Sequence, residues 1–182
     1  MRRSQRKLNK VMSRIELFMP LLICAIAGCG ADVDSAPASV AEKSFAEQVR
    51  EVRQGRSQEI RISKDKLADG DLIHLAELPE LSRLLLESSD ITDAGLATLA
   101  KMPKLQTLRL SCPRVTDEGL RMIAGSRSLR ALILLDAPVT DAGALHLGEM
   151  KQLESLYLTR TRVTEAGIAA LKERLPQLHV HW

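Results

Sequence analysis

Leucines alternate with other residues in four short blocks that recur every 24 residues along the chain. Each block has the form Leu-x-x-Leu-x-Leu, and the four begin at Leu81, Leu105, Leu129 and Leu153. Ten residues after each start comes a second block, aliphatic-Thr-acid-x-Gly, beginning at Ile91, Val115, Val139 and Val163. A weaker unit around Ile60 and Ile62 precedes the four. A fixed period of this length predicts a solenoid, in which each unit buries its apolar side against its neighbours.

The two blocks predict different secondary structure. Alternation in Leu-x-Leu predicts a short strand whose leucines point inward, and such strands stack in parallel. In the second block the threonine stands just before a helix, where its hydroxyl can accept a bond from an unpaired backbone N–H. The acid after it favours the positive end of the helix dipole. A glycine early in each helix indicates close approach between stacked units, since glycine is otherwise costly there.

These motifs resemble those of leucine-rich repeat proteins, and the strand-plus-helix unit is most similar to the ribonuclease-inhibitor-like subtype. The resemblance covers residues 57–182. It implies an α/β solenoid with short parallel strands on the concave face and helices on the convex face. The chain departs from the family at the Asn or Cys that usually follows the strand, which is replaced by Ser89, Pro113, Ala137 and Thr161.

The segment before the repeats divides into a tether and a predicted helix. Residues 29–42 are small and polar, and are predicted to be disordered. The apolar residues that follow recur at helical spacing: Ala41, Phe45, Val49 and Val52. Because the first unit of a solenoid would otherwise expose its core, residues 43–56 are interpreted as an N-terminal capping helix that stops at Gly55. A partner-binding amphipathic helix is the alternative.

The first 28 residues have the features of an export signal. A basic region is followed by the apolar stretch 17–27, which is far shorter than the roughly 20 residues that a membrane-spanning helix needs. The stretch ends in Ile26-Ala27-Gly28-Cys29, which resembles the lipobox of bacterial lipoproteins. The resemblance implies that residues 1–28 are removed, that Cys29 is lipidated, and that the exported protein is anchored to a membrane of the bacterial cell envelope. An ordinary secretory signal with a cysteine there by chance is the alternative.

The charge that remains after the signal is removed argues against nucleic-acid binding. The chain has 26 basic and 23 acidic residues, of which the first 28 residues carry six and one, so that 20 basic and 22 acidic residues remain. A nucleic-acid interface needs a basic patch on the folded domain, and this balance gives no support for one.

No catalytic, metal-binding or cofactor-binding motif stands out in the sequence. His179 and His181 would lie on one face of a strand, but a third ligand is not apparent, and divalent metal sites usually have three or four. Cys112 follows a strand and is interpreted as a small filler rather than as a nucleophile. Trp182 is expected to cover the last unit. The chain is therefore predicted to be no enzyme and to need no cofactor.

The residues between the inward leucines are predicted to face outward on the concave side and to form a binding surface. The candidate partner-binding residues are Leu85, Arg109, Ile133, Leu135, Tyr157 and Arg160. Clusters of exposed apolar residues often mark interaction sites, and Tyr and Arg frequently dominate binding energy. A protein or peptide partner fits this surface better than a sugar or nucleobase, because Tyr157 is its single aromatic anchor. The alternative is a structural or self-associating envelope component without a discrete ligand.

Overall fold

The structure is a computed structural model that describes residues 43–63, 67–87 and 90–182. The predicted signal peptide, Cys29 and the predicted tether lie outside the described residues. The helices are α1 Phe45–Arg53, α2 Asp69–Ala76, α3 Asp93–Leu99, α4 Asp117–Ile123, α5 Asp141–His146 and α6 Glu165–Arg174, with a 3₁₀ turn at Leu147–Glu149. The strands are β1 Glu59–Ile62, β2 Arg83–Leu86, β3 Thr107–Ser111, β4 Ala131–Leu135, β5 Ser155–Thr159 and β6 His179–His181.

The six strands form one parallel sheet in the order of the sequence. Its register follows the 24-residue period, because Leu84 lies beside Leu108, Leu108 beside Leu132 and Leu132 beside Leu156. The helices from α2 to α6 pack on one another in the same order. The predicted α/β leucine-rich repeat solenoid, with strands on one face and helices on the other, is confirmed.

The core lies between the sheet and the helices and is almost wholly aliphatic. In the unit that contains β3, Leu108 and Leu110 of the strand and Leu120 and Ile123 of α4 are all fully buried. Burial of a side chain of this size stabilises the fold by about 1.5–3 kcal/mol. A single unit can shield only one side of its leucines, so this stabilisation depends on the stacking of neighbours.

The threonine of each second block caps its helix, as predicted. The hydroxyls of three of them accept a bond at 3.3 Å from the backbone N–H two residues later: Thr92, Thr116 and Thr140. The hydroxyl of Thr164 accepts instead from Gly167, at 3.5 Å. Such a cap stabilises a helix by about 1 kcal/mol.

The aspartates that begin α2, α3, α4 and α5 have a role that the sequence did not predict. The carboxylate of Asp93 accepts two hydrogen bonds from the next unit, one from the backbone N–H of Thr116 at 2.8 Å and one from its hydroxyl at 2.7 Å. The same pair of bonds joins Asp69 to Thr92, Asp117 to Thr140 and Asp141 to Thr164. We call each such pair an Asp–Thr clamp. The interpretation of the acids as helix-dipole residues alone was therefore incomplete, since they also connect successive units by charge-assisted bonds.

One clamp perturbs the titration of its carboxylate. The backbone N–H of Thr164, and after it the hydroxyl, hold the pKa of Asp141 below its ordinary value, because both bonds favour the ionised form. The fourth acid of the series, Glu165, begins α6.

The glycines of the second block make room for these clamps. A Cβ atom added at Gly119 would lie 2.3 Å from Oδ1 of Asp93, and one added at Gly143 would lie 2.3 Å from Oδ1 of Asp117. The close approach predicted from the glycines is confirmed, and the group that approaches is the carboxylate of the preceding unit. The corresponding position in the first unit holds Asp71, whose side chain instead accepts a bond from the N–H of Ala68 at 2.9 Å.

The helix α1 protects the outer edge of β1. Its residue Gln48 is 8% exposed. The side-chain amide of Gln48 donates to the carbonyl of Arg61 and accepts from the N–H of Arg61, both at 2.7 Å, and so replaces a neighbouring strand. Val52 is buried and Phe45 and Val49 are partly buried against the core, so the apolar stripe of α1 is used within the fold.

Trp182 does not cover the last unit, and that expectation was wrong. Its side chain is 57% exposed, and the ammonium group of Lys172 lies 5.7 Å from the centre of its ring. The last unit is closed instead by the buried side chains Leu171, Leu175 and Leu178. The physical reason is that Trp182, which follows the last strand, lies with its ring beside Lys172 of α6 and not over the buried leucines.

Candidate functional site

The concave face is built around one row of side chains that runs across all six strands. In register, the row consists of Arg61, Leu85, Arg109, Ile133, Tyr157 and His181. A second, shorter row lies toward the carboxyl ends of the strands and consists of Ser111, Leu135 and Thr159. We call the first of these the central row. It holds four of the six candidate residues, and the second row holds Leu135.

The apolar members of these rows are half-buried. Leu85, Ile133, Leu135 and Tyr157 all have intermediate exposure, because each lies between side chains of the adjacent strands. The large hydrophobic residues that are exposed among the described residues lie elsewhere, at Ile73 and Trp182. A partner on the concave face would therefore contact the outer edges of a packed row rather than isolated apolar side chains.

Tyr157 is stacked on the imidazole ring of His181, a residue that was not among the predicted binding residues. The rings of Tyr157 and His181 are nearly parallel, at an interplanar angle of 10°, with their centres 4.5 Å apart. On its other side in the row, Tyr157 has Ile133 as its strand neighbour. One face of the Tyr157 ring is thus occupied by His181, which leaves its edge and hydroxyl group for a partner.

Arg109 lies near the middle of the central row between two aliphatic residues. Its strand neighbours are Leu85 on β2 and Ile133 on β4. The side chain is half-buried, and within the part of the chain that the structure describes its buried Nε–H has no hydrogen-bond partner. A buried donor without an acceptor is costly, by about 1–3 kcal/mol.

The arginines nearer β1 do have carboxylate partners. Nε of Arg83 lies 2.8 Å from Oε2 of Glu59, and Nη2 of Arg61 lies 3.7 Å from Oε1 of the same residue. These contacts are partly exposed, so each contributes little to stability. They nevertheless neutralise part of the positive charge at this end of the face.

Arg160 forms an ion pair at the carboxyl edge of the sheet. Its guanidinium group binds both oxygens of Asp136, with Nε at 2.5 Å and Nη2 at 2.6 Å, and Ser111 donates to the same carboxylate at 3.2 Å. The bond from Arg160 lowers the pKa of Asp136. The candidate residue Arg160 is therefore held in place by the protein itself, and its role as a direct partner contact stays a prediction.

Asp136 and Arg160 also share an unusual backbone conformation. Their φ angles are +60° and +55°, in the left-handed region that residues other than glycine seldom adopt. Each such residue costs of order 1–3 kcal/mol and persists where the surroundings impose it. Asp136 and Arg160 directly follow the adjacent strands β4 and β5, and their ion pair joins the two turns. The edge of the concave face at the carboxyl ends of these strands therefore has a defined shape.

The remaining reactive groups have structural explanations. Cys112 is fully buried, and burial, with smaller contributions from Asp136 and Asp93, raises the pKa of its thiol to about 12. Its interpretation as a filler is confirmed, because a thiol of this kind is neither accessible nor ionised at neutral pH. No group of three His, Cys, Asp or Glu residues suited to a metal ion occurs within residues 43–63, 67–87 and 90–182.

A second concavity lies beside α1. It is a shallow groove of about 370 Å³ lined by Phe45, Ala46, Val49, Arg50, Arg53 and His74. Arg53 at its rim is paired with Glu77 at 3.1 Å. None of the helices in the described segments is long and apolar enough to span a membrane.

Comparison with known proteins agrees with this geometry. The family model described as Leucine Rich repeat matches residues 101–124, which is one repeat unit. Comparison with curated protein sequences finds no match. Among solved structures, an internalin (inlF) from Listeria monocytogenes is similar with 19% identity and a TM-score of 0.54, over 73% of this chain and 36% of the internalin chain. The plant peptide hormone receptor RGFR1 in complex with RGF2 has 14% identity and a TM-score of 0.41, over 74% of this chain and 26% of that chain.

The sheet, the helices and the comparisons together define the class of fold. The sheet register, the stacked helices and the likeness to the internalin structure make the fold a leucine-rich repeat solenoid, and one of its units matches the leucine-rich repeat family model. At 19% identity the likeness establishes the fold alone, and this chain spans little more than a third of the internalin.

Proposed function

We propose that this protein is a lipid-anchored scaffold of the bacterial cell envelope that recognises a protein or peptide through its concave face. The observation that carries the proposal is the central row, where half-buried aliphatic residues flank Arg109 and lead to the Tyr157–His181 stack. Arg and Tyr among apolar neighbours are the residue types that most often dominate binding energy at protein interfaces. The leucine-rich repeat fold suits this role, because it presents a broad and nearly rigid surface.

Other functions have less support on this surface. A sugar or nucleobase site would normally offer an aromatic face for stacking, and one face of Tyr157 is already occupied by His181. No catalytic arrangement is apparent in the described residues, where Cys112 is buried and protonated. The pairing of every strand from β2 to β5 with an α-helix supports assignment to the ribonuclease-inhibitor-like subtype.

A capture experiment tests binding by the concave face. The wild-type chain, the double variant Arg109→Ala/Tyr157→Ala and the control Arg127→Ala are each used to recover proteins from solubilised bacterial envelopes. Arg127 is exposed and lies between α4 and β4, away from the central row. We expect a partner that is retained by wild type and by the control and is lost by the double variant, because the latter lacks the central Arg and Tyr contacts.

Two other outcomes would change the conclusion. Equal recovery of the same proteins by all three forms would contradict recognition through the concave face. If the double variant changes only the association of the chain with itself, measured by sedimentation, the structural or self-associating alternative is correct.

A separate experiment tests the lipid anchor. Cys29→Ala is expected to move the protein from the membrane fraction to the soluble exported fraction and to remove the mass of the lipid, because the acylated thiol is then absent. Cys24→Ala is the matched control, since Ile23 precedes Cys24 where the lipobox needs a small residue. A Cys29→Ala protein that stays in the membrane with unchanged mass would show that the anchor was wrongly assigned.

A further inference from the structure

Arg109 occupies a position where the described part of the fold gives its side chain no hydrogen-bond or ion-pair partner. The other arginines on the concave face have carboxylates nearby: Arg61 and Arg83 contact Glu59, and Arg160 contacts Asp136. Within the described residues Arg109 has no ion pair, and its buried Nε–H has no hydrogen-bond acceptor. Among residues 43–63, 67–87 and 90–182, Arg109 is therefore the arginine of the central row whose hydrogen-bonding groups remain without a protein partner.

The neighbours of Arg109 show that the fold does not require an arginine there. Leu85 and Ile133 flank it in register, so an aliphatic side chain at residue 109 would continue an apolar row. Because a buried donor without an acceptor is costly, an apolar residue of similar size at position 109 should be neutral or favourable for stability. The presence of a guanidinium group at residue 109 is better explained by a ligand that binds to it.

We infer that Arg109 binds the side-chain carboxylate of an acidic residue in the partner, and that apolar partner residues on both sides of this acid contact Leu85 and Ile133. A carboxylate matches the planar guanidinium group with two parallel bonds, and one of them would satisfy the buried Nε–H. Because the surrounding row is apolar, the bonds would form with little competition from water, which strengthens them. Arg109 takes this role only if the concave face binds a protein, as proposed above.

The geometry favours an internal acidic residue over other anions. Apolar surface continues from Arg109 toward Leu85 on one side and toward Ile133 on the other, so a ligand that ended at the carboxylate would leave half of the row uncovered. A phosphate group carries more charge than one guanidinium neutralises, and the adjacent row positions are aliphatic. In an extended segment, alternate side chains face the same way. The partner motif is therefore apolar-x-acid-x-apolar.

Peptide selection on the purified full chain tests this inference. A display library of random dodecapeptides is selected against wild type, Arg109→Leu and Arg109→Glu, and the thermal unfolding of each variant is followed by circular dichroism. We expect wild type to enrich peptides with Asp or Glu between apolar residues, and these peptides to bind Arg109→Leu about tenfold or more weakly, while Arg109→Leu unfolds at the same temperature as wild type or at a higher one. Arg109→Lys should bind with intermediate affinity, because an ammonium group lacks the bidentate geometry. Arg109→Glu should instead enrich Lys or Arg at the central position.

Each contrary result has a distinct meaning. The enriched peptides could lose affinity for the variants Ile133→Ser or Tyr157→Ala and yet show no preference for an acidic residue. This result would overturn the role of Arg109 but would leave the concave face as a binding surface. Failure to enrich any peptide that depends on Arg109, Ile133 or Tyr157 would overturn both the inference and the proposed function.

Discussion

Gly119→Ala is expected to lower the free energy of unfolding by about 3 kcal/mol, which corresponds to a fall in melting temperature of about 10 °C for a domain of this size. The added Cβ would lie 2.3 Å from Oδ1 of Asp93 and 3.0 Å from Cγ1 of Val115. Either the carboxylate moves and loses both bonds to Thr116, or α4 shifts away from α3. Chemical denaturation and thermal unfolding monitored by circular dichroism measure the effect.

The partner residue and a matched glycine supply the controls for Gly119. In the background of Asp93→Ala the carboxylate is absent, so the further cost of Gly119→Ala should be smaller by about 1 kcal/mol or more than in wild type. Gly70→Ala is the matched control, because a Cβ at Gly70 in α2 would have no atom within 4 Å. This change should be neutral or stabilise the protein by about 0.5 kcal/mol. Equal effects of Gly119→Ala and Gly70→Ala would refute the clamp as the reason for the glycine.

Gln48→Met is expected to lower the free energy of unfolding by about 2 kcal/mol. Methionine keeps the length of the side chain but can neither donate to the carbonyl of Arg61 nor accept from its N–H, and loss of a partner costs a partly buried polar group about 1–3 kcal/mol. The amide proton of Arg61 should then exchange faster with solvent, which hydrogen–deuterium exchange measures directly. The unprotected edge of β1 should also favour association at high protein concentration, because open strand edges pair with other chains.

Gln54→Met is the control for this substitution. Gln54 follows α1 and its side chain is exposed, so its replacement should leave both stability and exchange at Arg61 unchanged. If Gln48→Met also leaves the free energy of unfolding and the exchange at Arg61 unchanged, the amide of Gln48 does not protect β1. The helix α1 would then contribute to the fold only through its apolar contacts.

The candidate site could be located from the sequence, although its chemistry could not be described fully. Alternation places Leu85, Arg109, Ile133 and Tyr157 on the outward side of the sheet, and the structure has them in one row. That His181 stacks on Tyr157 depends on β6 joining the sheet in register. The pairing of Arg160 with Asp136 depends on two left-handed residues, and only the aspartate is of a type that favours this conformation, so the sequence does not predict the pair.

The same contrast holds within the repeat itself. The threonine caps were predicted because the hydroxyl and the N–H that it accepts from lie two or three residues apart, within reach of local rules. The clamp between Asp93 and Thr116 joins residues that are 23 positions apart. It was not predicted, because the helix dipole already gives a local explanation for an acid at this position. The hydrogen bonds of Gln48 could not be predicted for the same reason, because nothing near it in the sequence shows that its amide contacts a strand edge 13 residues later.

The sequence by itself determined the period, the strand and helix of each unit, and hence the solenoid, because the apolar positions of every unit must be buried by the next. Only the tertiary structure decided which polar groups are satisfied by one another. The carboxylate of Asp93, the amide of Gln48 and the guanidinium group of Arg160 each find partners across a unit boundary, whereas Arg109 has none within the described residues. The physical reason is that burial follows from pattern, while a hydrogen bond requires two particular atoms to meet within about 3 Å in a set direction.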